Sequence, residues 1–227
     1  MKITIVIPTY NSEFFIQKTI DSVLKQTDKV DRIIIIDDCS KDNTVDLVKF
    51  YVNNYDNIEL ICVDRNLGPA GIRNYALKYV NEDFVMFLDH DDLIDVNLIK
   101  EYKKALENTN DAVFIYSNAV QIDMDDNVIS DAIAYSFVDR NDILGDFIIR
   151  NRILSMTGIL INTNKLKVVD GFDDKLIYSQ DWDLWLRLIN KGEVIHIDKT
   201  FINIRRHLNN TSRNIENFLK DELTVYK

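Results

Sequence analysis

The chain has 227 residues, 46% of them apolar, and a formal net charge of −10. That is long and apolar enough to bury the core of one domain, and the negative balance excludes a nucleic-acid binder working through a broad basic face. Cys39 and Cys62 stand far apart and outside any Cys-x-x-Cys pattern, which fits a reducing cytosol; no apolar run approaches the roughly 18–20 residues of a membrane span and the first residues lack signal-peptide architecture, so the expectation is a soluble, cytoplasmic chain.

In chain order, residues 3–7 form a β-branched run stopped by Pro8, the mark of a strand buried on both faces. A loop over residues 9–12 leads into residues 13–26, where Ile16, Ile20, Val23 and Leu24 fall at i, i+4, i+7 and i+8 and predict a helix with one buried stripe. A strand over 33–36 runs into Asp37-Asp38-Cys39-Ser40. Asp42, Asn43 and Thr44 then open a second helix carrying Leu47, Val48 and Tyr51. A third strand covers 58–63. The loop Asn66-Leu67-Gly68-Pro69-Ala70-Gly71 leads into a helix through Arg73, Ala76, Leu77 and Val80, and a strand over 84–88 ends in Asp89-His90-Asp91-Asp92.

After a helix over 96–106 the pattern is less regular. Strands are expected over 113–117 and 119–122, a turn at 124–127, a strand over 158–162, and strands over 194–197 and 201–204. Residues 142–150 suit a helix, within a stretch from 130 to 154 that periodicity does not assign. Over 179–190, Trp182, Trp185, Leu186 and Ile189 define a helix with two acids in its first turn and Gly192 as its stop; a loop over 207–214 precedes a terminal helix. Strands alternating with helices predict a mainly parallel, doubly wound α/β sheet, with ligands beyond the carboxyl ends of the strands. The loops after Ile7, Ile36, Val63 and Leu88 should converge there.

Asp89, Asp91 and Asp92 put three carboxylates within four positions at the end of a buried strand. Such a cluster needs solvation, hydrogen bonds or a cation, and a hard divalent ion such as Mg²⁺ or Mn²⁺, completed by water and a substrate phosphate, is the simplest partner. An EF-hand frame fails: its sixth position is Ile94 where Gly is needed and its twelfth is Lys100 where Glu should chelate. Asp123-Met124-Asp125 reads as solvated turn chemistry.

The order of four pieces, Ile5-Val6-Ile7-Pro8-Thr9-Tyr10-Asn11, Asp37 to Thr44, Asn66-Leu67-Gly68 with Ala70-Gly71-Ile72-Arg73-Asn74, and Asp89-His90-Asp91-Asp92, resembles family 2 glycosyltransferases over nearly the whole chain. The resemblance implies an inverting enzyme of the GT-A fold, a Rossmann-like, mainly parallel doubly wound sheet with a smaller mixed acceptor-side region. It implies one domain over 1–227, with a nucleotide-sugar-binding half at 1–108 and an acceptor-binding, catalytic half at 109–227. The implied donor is a nucleotide diphosphate sugar, a UDP-sugar by the expected contact of Asp38 with the uracil imide. The implied acceptor is a hydroxyl of a glycan or lipid-linked molecule, with peripheral contact at the inner membrane face if the acceptor is lipid-linked.

By the same resemblance the nucleotide set is Pro8, Thr9, Tyr10, Asn11, Asp38, Asn66, Gly68, Arg73, Asp89 and His90, with the His90 side chain a spacer rather than a metal ligand. Asp89, Asp91 and His207 are implied to hold Mn²⁺ or Mg²⁺. Asp181 is implied as the catalytic base. Asp183 lies in the same turn, and spacing alone does not choose between them. Gln180 stands where the family usually has Glu, which removes a charge beside the base. Each residue also has an ordinary reading: Tyr10 as a core ring, Asp38 and Asp181 as helix-opening acids, Arg73 as a solvated helix residue, His207 as a surface imidazole. Other readings of the whole chain are a nucleotidyltransferase, which calls for a Gly-rich basic loop where Ile7-Pro8-Thr9-Tyr10-Asn11 stands, and a non-catalytic sugar-nucleotide-binding module.

Overall fold

The computed structural model describes residues 1–131, 142–149, 151, 153, 155–207, 221 and 225. One eight-stranded sheet runs through it, in the order β3-β2-β1-β4-β7-β6-β8-β5. The strands are β1 (Ile3–Thr9), β2 (Arg32–Asp37), β3 (Ile58–Cys62), β4 (Phe84–Phe87), β5 (Leu93–Ile94), β6 (Ala112–Ile122), β7 (Ile159–Asn162) and β8 (Glu193–Arg205). The helices are α1 (Ile16–Leu24), α2 (Thr44–Asn54), α3 (Gly68–Leu77), α4 (Leu98–Leu106), α5 (Ile143–Ile149), α6 (Thr163–Val168) and α7 (Gln180–Leu188), the last followed by a 3-10 turn at Ile189–Lys191. Strands β3, β2, β1 and β4 are mutually parallel, β7 runs against both β4 and β6, and β8 lies parallel to β6 and antiparallel to β5. The sheet is therefore parallel through its first half and mixed beyond β4, as expected from the sequence.

The continuous apolar runs are explained by burial on two sides. All of β1 is buried, and because successive side chains alternate, Ile3, Ile5 and Ile7 join one core while Val6 joins the other. The first core includes Ile16, Ile20 and Val23 of α1, Val48 of α2 and Leu98, Ile99 and Tyr102 of α4. The second includes Ala70, Ile72 and Ala76 of α3, Phe147 of α5 and Leu184, Trp185 and Leu188 of α7. Each fully buried isoleucine is worth about 1.5–3 kcal/mol relative to an exposed one, so the sheet is held from both faces.

Several boundaries differ from the periodic reading. α1 begins at Ile16 because Ser12 O accepts from the N–H groups of both Phe15 and Ile16, closing a turn first. α4 begins at Leu98, behind an Asp95 whose carboxylate accepts from Asn97 N. The four short strands expected in the second half are two long ones, β6 and β8, paired through a register shift at Ser117 and Asn118. The two-residue β5 and the short α6 were not expected. The terminal helix, and most of the stretch 130–154, lie outside the described residues.

Candidate functional site

The carboxyl ends of β1, β2, β4, β6 and β8 and the start of β7 meet along one edge of the sheet. The acidic loop after β4 lies at the middle of this edge, and four elements distant in sequence clasp it. Thr19 Oγ1 of α1 donates to the carbonyls of His90 (2.8 Å) and Asp92 (3.0 Å). Thr157, just ahead of β7, donates to Asp92 Oδ2 (2.5 Å) and accepts from Asp89 N (3.3 Å). The third is Arg205, which closes β8: its backbone N–H donates to Asp92 Oδ1 (2.8 Å) and its Nε to Asp91 O (2.8 Å). Arg73 of α3 pairs with Asp89 Oδ1 at 2.6 Å.

The three acids therefore have different environments. Asp92 is buried, and desolvation, reinforced by the charges of Asp91 and Asp89, holds its carboxyl well above the usual carboxylate range. Both of its oxygens accept hydrogen bonds from the scaffold. Asp91 Oδ2 meets His207 Nε2 at 2.8 Å. Asp89 is turned to Arg73, and among the described residues no three His, Cys, Asp or Glu side chains converge on one point. Thus the structure brings together Asp91 and His207 of the implied metal set but not Asp89, because the Arg73 guanidinium already neutralises that carboxylate. The donors at the Asp91–His207 pair, a hard carboxylate oxygen and an imidazole nitrogen, suit a divalent first-row ion or Mg²⁺ completed by water and phosphate.

On the nucleotide side, Pro8 and Thr9 end β1. Thr9 is buried, its hydroxyl donating to Asp37 Oδ1 at 3.2 Å, while Tyr10 is 48% exposed at the rim and so is not a core ring. Asn11, at a φ of 50°, accepts from Lys41 N at 2.8 Å and ties the first loop to the second. Asp38 is buried and accepts from Leu67 N (2.6 Å) and Gly68 N (3.0 Å). Burial pushes its carboxyl up and these two N–H groups pull it back, so it acts on the opening of α3 rather than as a free carboxylate. Asn66 bridges the same turn, donating to Asp38 O and accepting from Gly68 N, both at 3.2 Å. Gly68 has a φ of 72°, and a Cβ there would meet nothing within 4 Å: the position needs glycine for its backbone and leaves open space beside it. Arg73 is buried, not solvated, and lies over the Phe172 ring at 5.9 Å. His90 contributes its carbonyl to Thr19, and its ring Nδ1 is buried without a hydrogen-bond partner among the described residues.

At the start of α7 the two acids separate clearly. Asp183 is paired with Arg187 one turn on, at 2.5 Å. Asp181 accepts from Trp182 N at 2.8 Å, and burial among surrounding protein atoms pushes its carboxyl up to about 6, with Arg73 opposing the rise and Asp89 adding to it. Asp181 thus stands within electrostatic reach of the acidic loop although it is ninety-two positions away (181 − 89). Gln180 is buried, donating to Ile177 O at 3.3 Å, and Asp123 accepts from Asp125 N and Asn127 N at 2.9 Å, the turn role expected of it.

Sequence reasoning passed over Arg205, Thr19, Thr157 and Phe15. Arg205 is fully buried, donates also to Asp123 O (2.7 Å), pairs with Asp126 Oδ1 (2.6 Å) and lies over the Phe15 ring at 4.9 Å. A fully buried arginine is unusual, but the Arg205-Arg206 dipeptide looks like ordinary surface charge.

The sequence matches the family described as Glycosyl transferase family 2 over residues 4–167, more than half of the chain. It is 30% identical over 219 residues to UDP-Glc:alpha-D-GlcNAc-diphosphoundecaprenol beta-1,3-glucosyltransferase WfgD of Escherichia coli, covering 92% of this chain and 78% of that protein. Over 117 residues it is 38% identical to a Poly(ribitol-phosphate) beta-glucosyltransferase of Bacillus spizizenii, covering 49% of this chain and 18% of that one. The crystal structure of S. aureus TarS 1-349 in complex with UDP-GlcNAc superposes with a TM-score of 0.80 at 22% identity, covering 99% of this chain and 65% of that chain. This last likeness is one of fold. No helix among the described residues is long and apolar enough to cross a membrane.

Proposed function

The chain belongs to glycosyl transferase family 2 and is a nucleotide-sugar-dependent glycosyltransferase; from that premise we propose that it moves a hexose from a UDP-sugar, with inversion, to a hydroxyl of a lipid-linked or polymeric glycan. The observation that carries this reading is the approach of Asp181, a carboxyl raised to about 6, to the Arg73–Asp89 pair at the mouth of the acidic loop. An acceptor-side base and a donor-side cluster then lie within electrostatic reach of each other. In this reading residues 1–108 bind the donor and residues 109–227 bind the acceptor within a single domain.

The roles follow from the chemistry of each group. Asp181 takes the proton of the acceptor hydroxyl as attack on the anomeric carbon develops, a contribution of roughly 10²–10⁴ in rate. A carboxylate near 6 is a stronger base than an ordinary one and is still ionised at neutral pH. Asp91 and His207 hold Mn²⁺ or Mg²⁺, which when bound stabilises the negative charge gathering on the departing diphosphate. Arg73 keeps Asp89 neutralised beside them. Tyr10 offers its exposed ring to the base, with Pro8, Thr9 and Asn11 shaping the pocket floor; Asp38, Asn66 and Gly68 shape the loop through which the nucleotide is approached, and His90 holds its place in the acidic loop. The relatives' acceptors, a diphosphoundecaprenol-linked sugar and poly(ribitol-phosphate), motivate the acceptor class and contact with a membrane surface.

The test is release of UDP from UDP-glucose and from UDP-GlcNAc, with and without Mn²⁺ or Mg²⁺. Metal-dependent release that is lost in Asp91→Ala supports the reading. Pyrophosphate release from a nucleoside triphosphate, or UDP affinity in calorimetry that ignores both metal and Asp91→Ala, overturns it.

A further inference from the structure

The turn between α6 and α7 is fastened to both halves of the chain. From α3, the side chain of Asn74 clasps Phe172 twice: Oδ1 accepts from Phe172 N at 2.9 Å and Nδ2 donates to Phe172 O at 2.7 Å. From α7, Arg187 Nη1 donates to Val169 O at 2.6 Å. A Cβ on Gly171, whose φ is 68°, would stand 2.5 Å from Asn74 Oδ1, so glycine is required there both for its backbone and for the close approach. Phe172 is buried, and its ring meets the Phe87 ring edge-on, with centroids 5.2 Å apart, at the end of the strand that carries the acidic loop. The Arg73 guanidinium lies over the same Phe172 ring, 5.9 Å from its centroid.

Arg73 precedes Asn74 on α3, so one helix holds both the guanidinium and, through its next residue, the ring against which that guanidinium lies. An arginine head sits on a long, freely turning stem, and fixing it takes more than one partner. Here Nη2 pairs with Asp89 Oδ1 at 2.6 Å, Nη1 reaches only Pro69 O of its own helix at 3.3 Å, and Nε is buried without a hydrogen-bond partner among the described residues. The Phe172 face adds a contact of the cation–π kind. Beyond the turn, Asp181 feels two charges from other elements: Arg73 of α3 lowers its carboxyl and Asp89 of the acidic loop raises it, while on its own helix Asp183 is tied to Arg187. We infer that Asn74 is a positioning residue: by clasping Phe172 it fixes the turn that joins α3 to α7 and sets Arg73 against Asp89 and Asp181 together. The consequence for turnover rests on the reading of Asp181 as the base.

The experiment follows the carboxyl carbon of Asp181 by NMR from about pH 4 to about pH 8 in the full chain, labelled with carbon-13 at its aspartate carboxyls. The resonance is assigned by its loss in Asp181→Asn. Arg73→Met, Asn74→Leu and Phe172→Leu are compared with wild type, each checked for folding by circular dichroism. Arg73→Met removes the cation and leaves Asp89 unopposed, so the midpoint should rise above the wild-type value of about 6. Asn74→Leu removes the clasp and Phe172→Leu the ring; each should move the midpoint in the same direction, and neither should add to the shift in the Arg73→Met background. If Asn74→Leu does not fold, Asn74→Ser, shorter and neutral, carries the same expectation. A folded Asn74 variant whose midpoint stays within about 0.2 of wild type, or one that shifts it equally in the Arg73→Met background, overturns the inference and leaves the base assignment standing. An unmoved midpoint in Arg73→Met also overturns it. A wild-type midpoint near about 4 overturns the reading of Asp181 as a raised base, whatever the variants do.

Discussion

Replacing Asp181 with Asn tests whether its carboxyl is the base, and the structure sets the magnitude. The carboxyl ordinarily titrates at 3.8 and is pushed up to about 6, mainly by burial. Only the ionised form accepts a proton, so activity is lost as pH falls through about 6. At pH 5 about a tenth of the molecules carry the ionised base, against more than about nine-tenths for a carboxyl left at its ordinary value. The expected profile of kcat/KM therefore has an acid limb near 6, with about a ten-fold loss between pH 7 and pH 5. In Asp181→Asn the limb disappears and the plateau drops by roughly 10²–10⁴. The variant should also be more stable. A carboxyl whose folded value exceeds its unfolded one binds more protons in the native state, so the fold loses stability as pH rises from about 4 through about 6 and stays penalised above. Two units correspond to about 3 kcal/mol, and partial access to solvent reduces this to about 1–3 kcal/mol gained by the Asn variant at pH 7.5. UDP release from the donor with acceptor present, and urea unfolding, read the two effects. Transfer by Asp181→Asn within three-fold of wild type, or an acid limb near 4, refutes the reasoning.

Asp183→Asn should leave the same kinetics within about two-fold and lower stability by about 0.3–1 kcal/mol, the worth of a part-exposed pair one helical turn apart, by the same assays. Gly68→Ala meets no steric obstacle but forces alanine into a φ of 72°, costing about 1 kcal/mol in urea unfolding; if the nucleotide approaches the open side, calorimetric UDP affinity falls about ten-fold as well. Arg205→Met strips partners from Asp126 and from the Asp91 and Asp123 carbonyls in a buried place, and should cost about 3–5 kcal/mol by denaturant midpoint.

The first half of the fold was legible because each element is long enough to display its period: Ile33 to Ile36 face two cores and so are apolar throughout, and Ile3 to Ile7 face the same two cores with only Thr4 polar among them. The second half was not. Ser117-Asn118 and Asp198-Lys199 interrupt apolar runs and look like breaks between strands, whereas the chain passes through them as a ladder irregularity within β6 and β8. β5 and α6 are too short for any period to show. In the site, Asp89, Asp91 and Asp92 were visible as like charges needing partners, but the partners were not. Thr19, Thr157 and Arg205 are common residue types, and their place at the loop is a property of topology. The same holds for the different surroundings of Asp181 and Asp183, which depend on where Arg187 points.

The parallel pairing of β6 with β8 joins residues about eighty positions apart, and Arg205 is delivered at its far end. Contacts this distant form late, because a long loop must close before they contribute. A growing chain that has completed β1 to β4 therefore holds Asp91 and Asp92 close together before the arginine that grips them has been synthesised. The acidic loop is thus gripped by a residue that follows it by 113 positions, so the hold on Asp91 and Asp92 and the completion of the sheet arrive as one event.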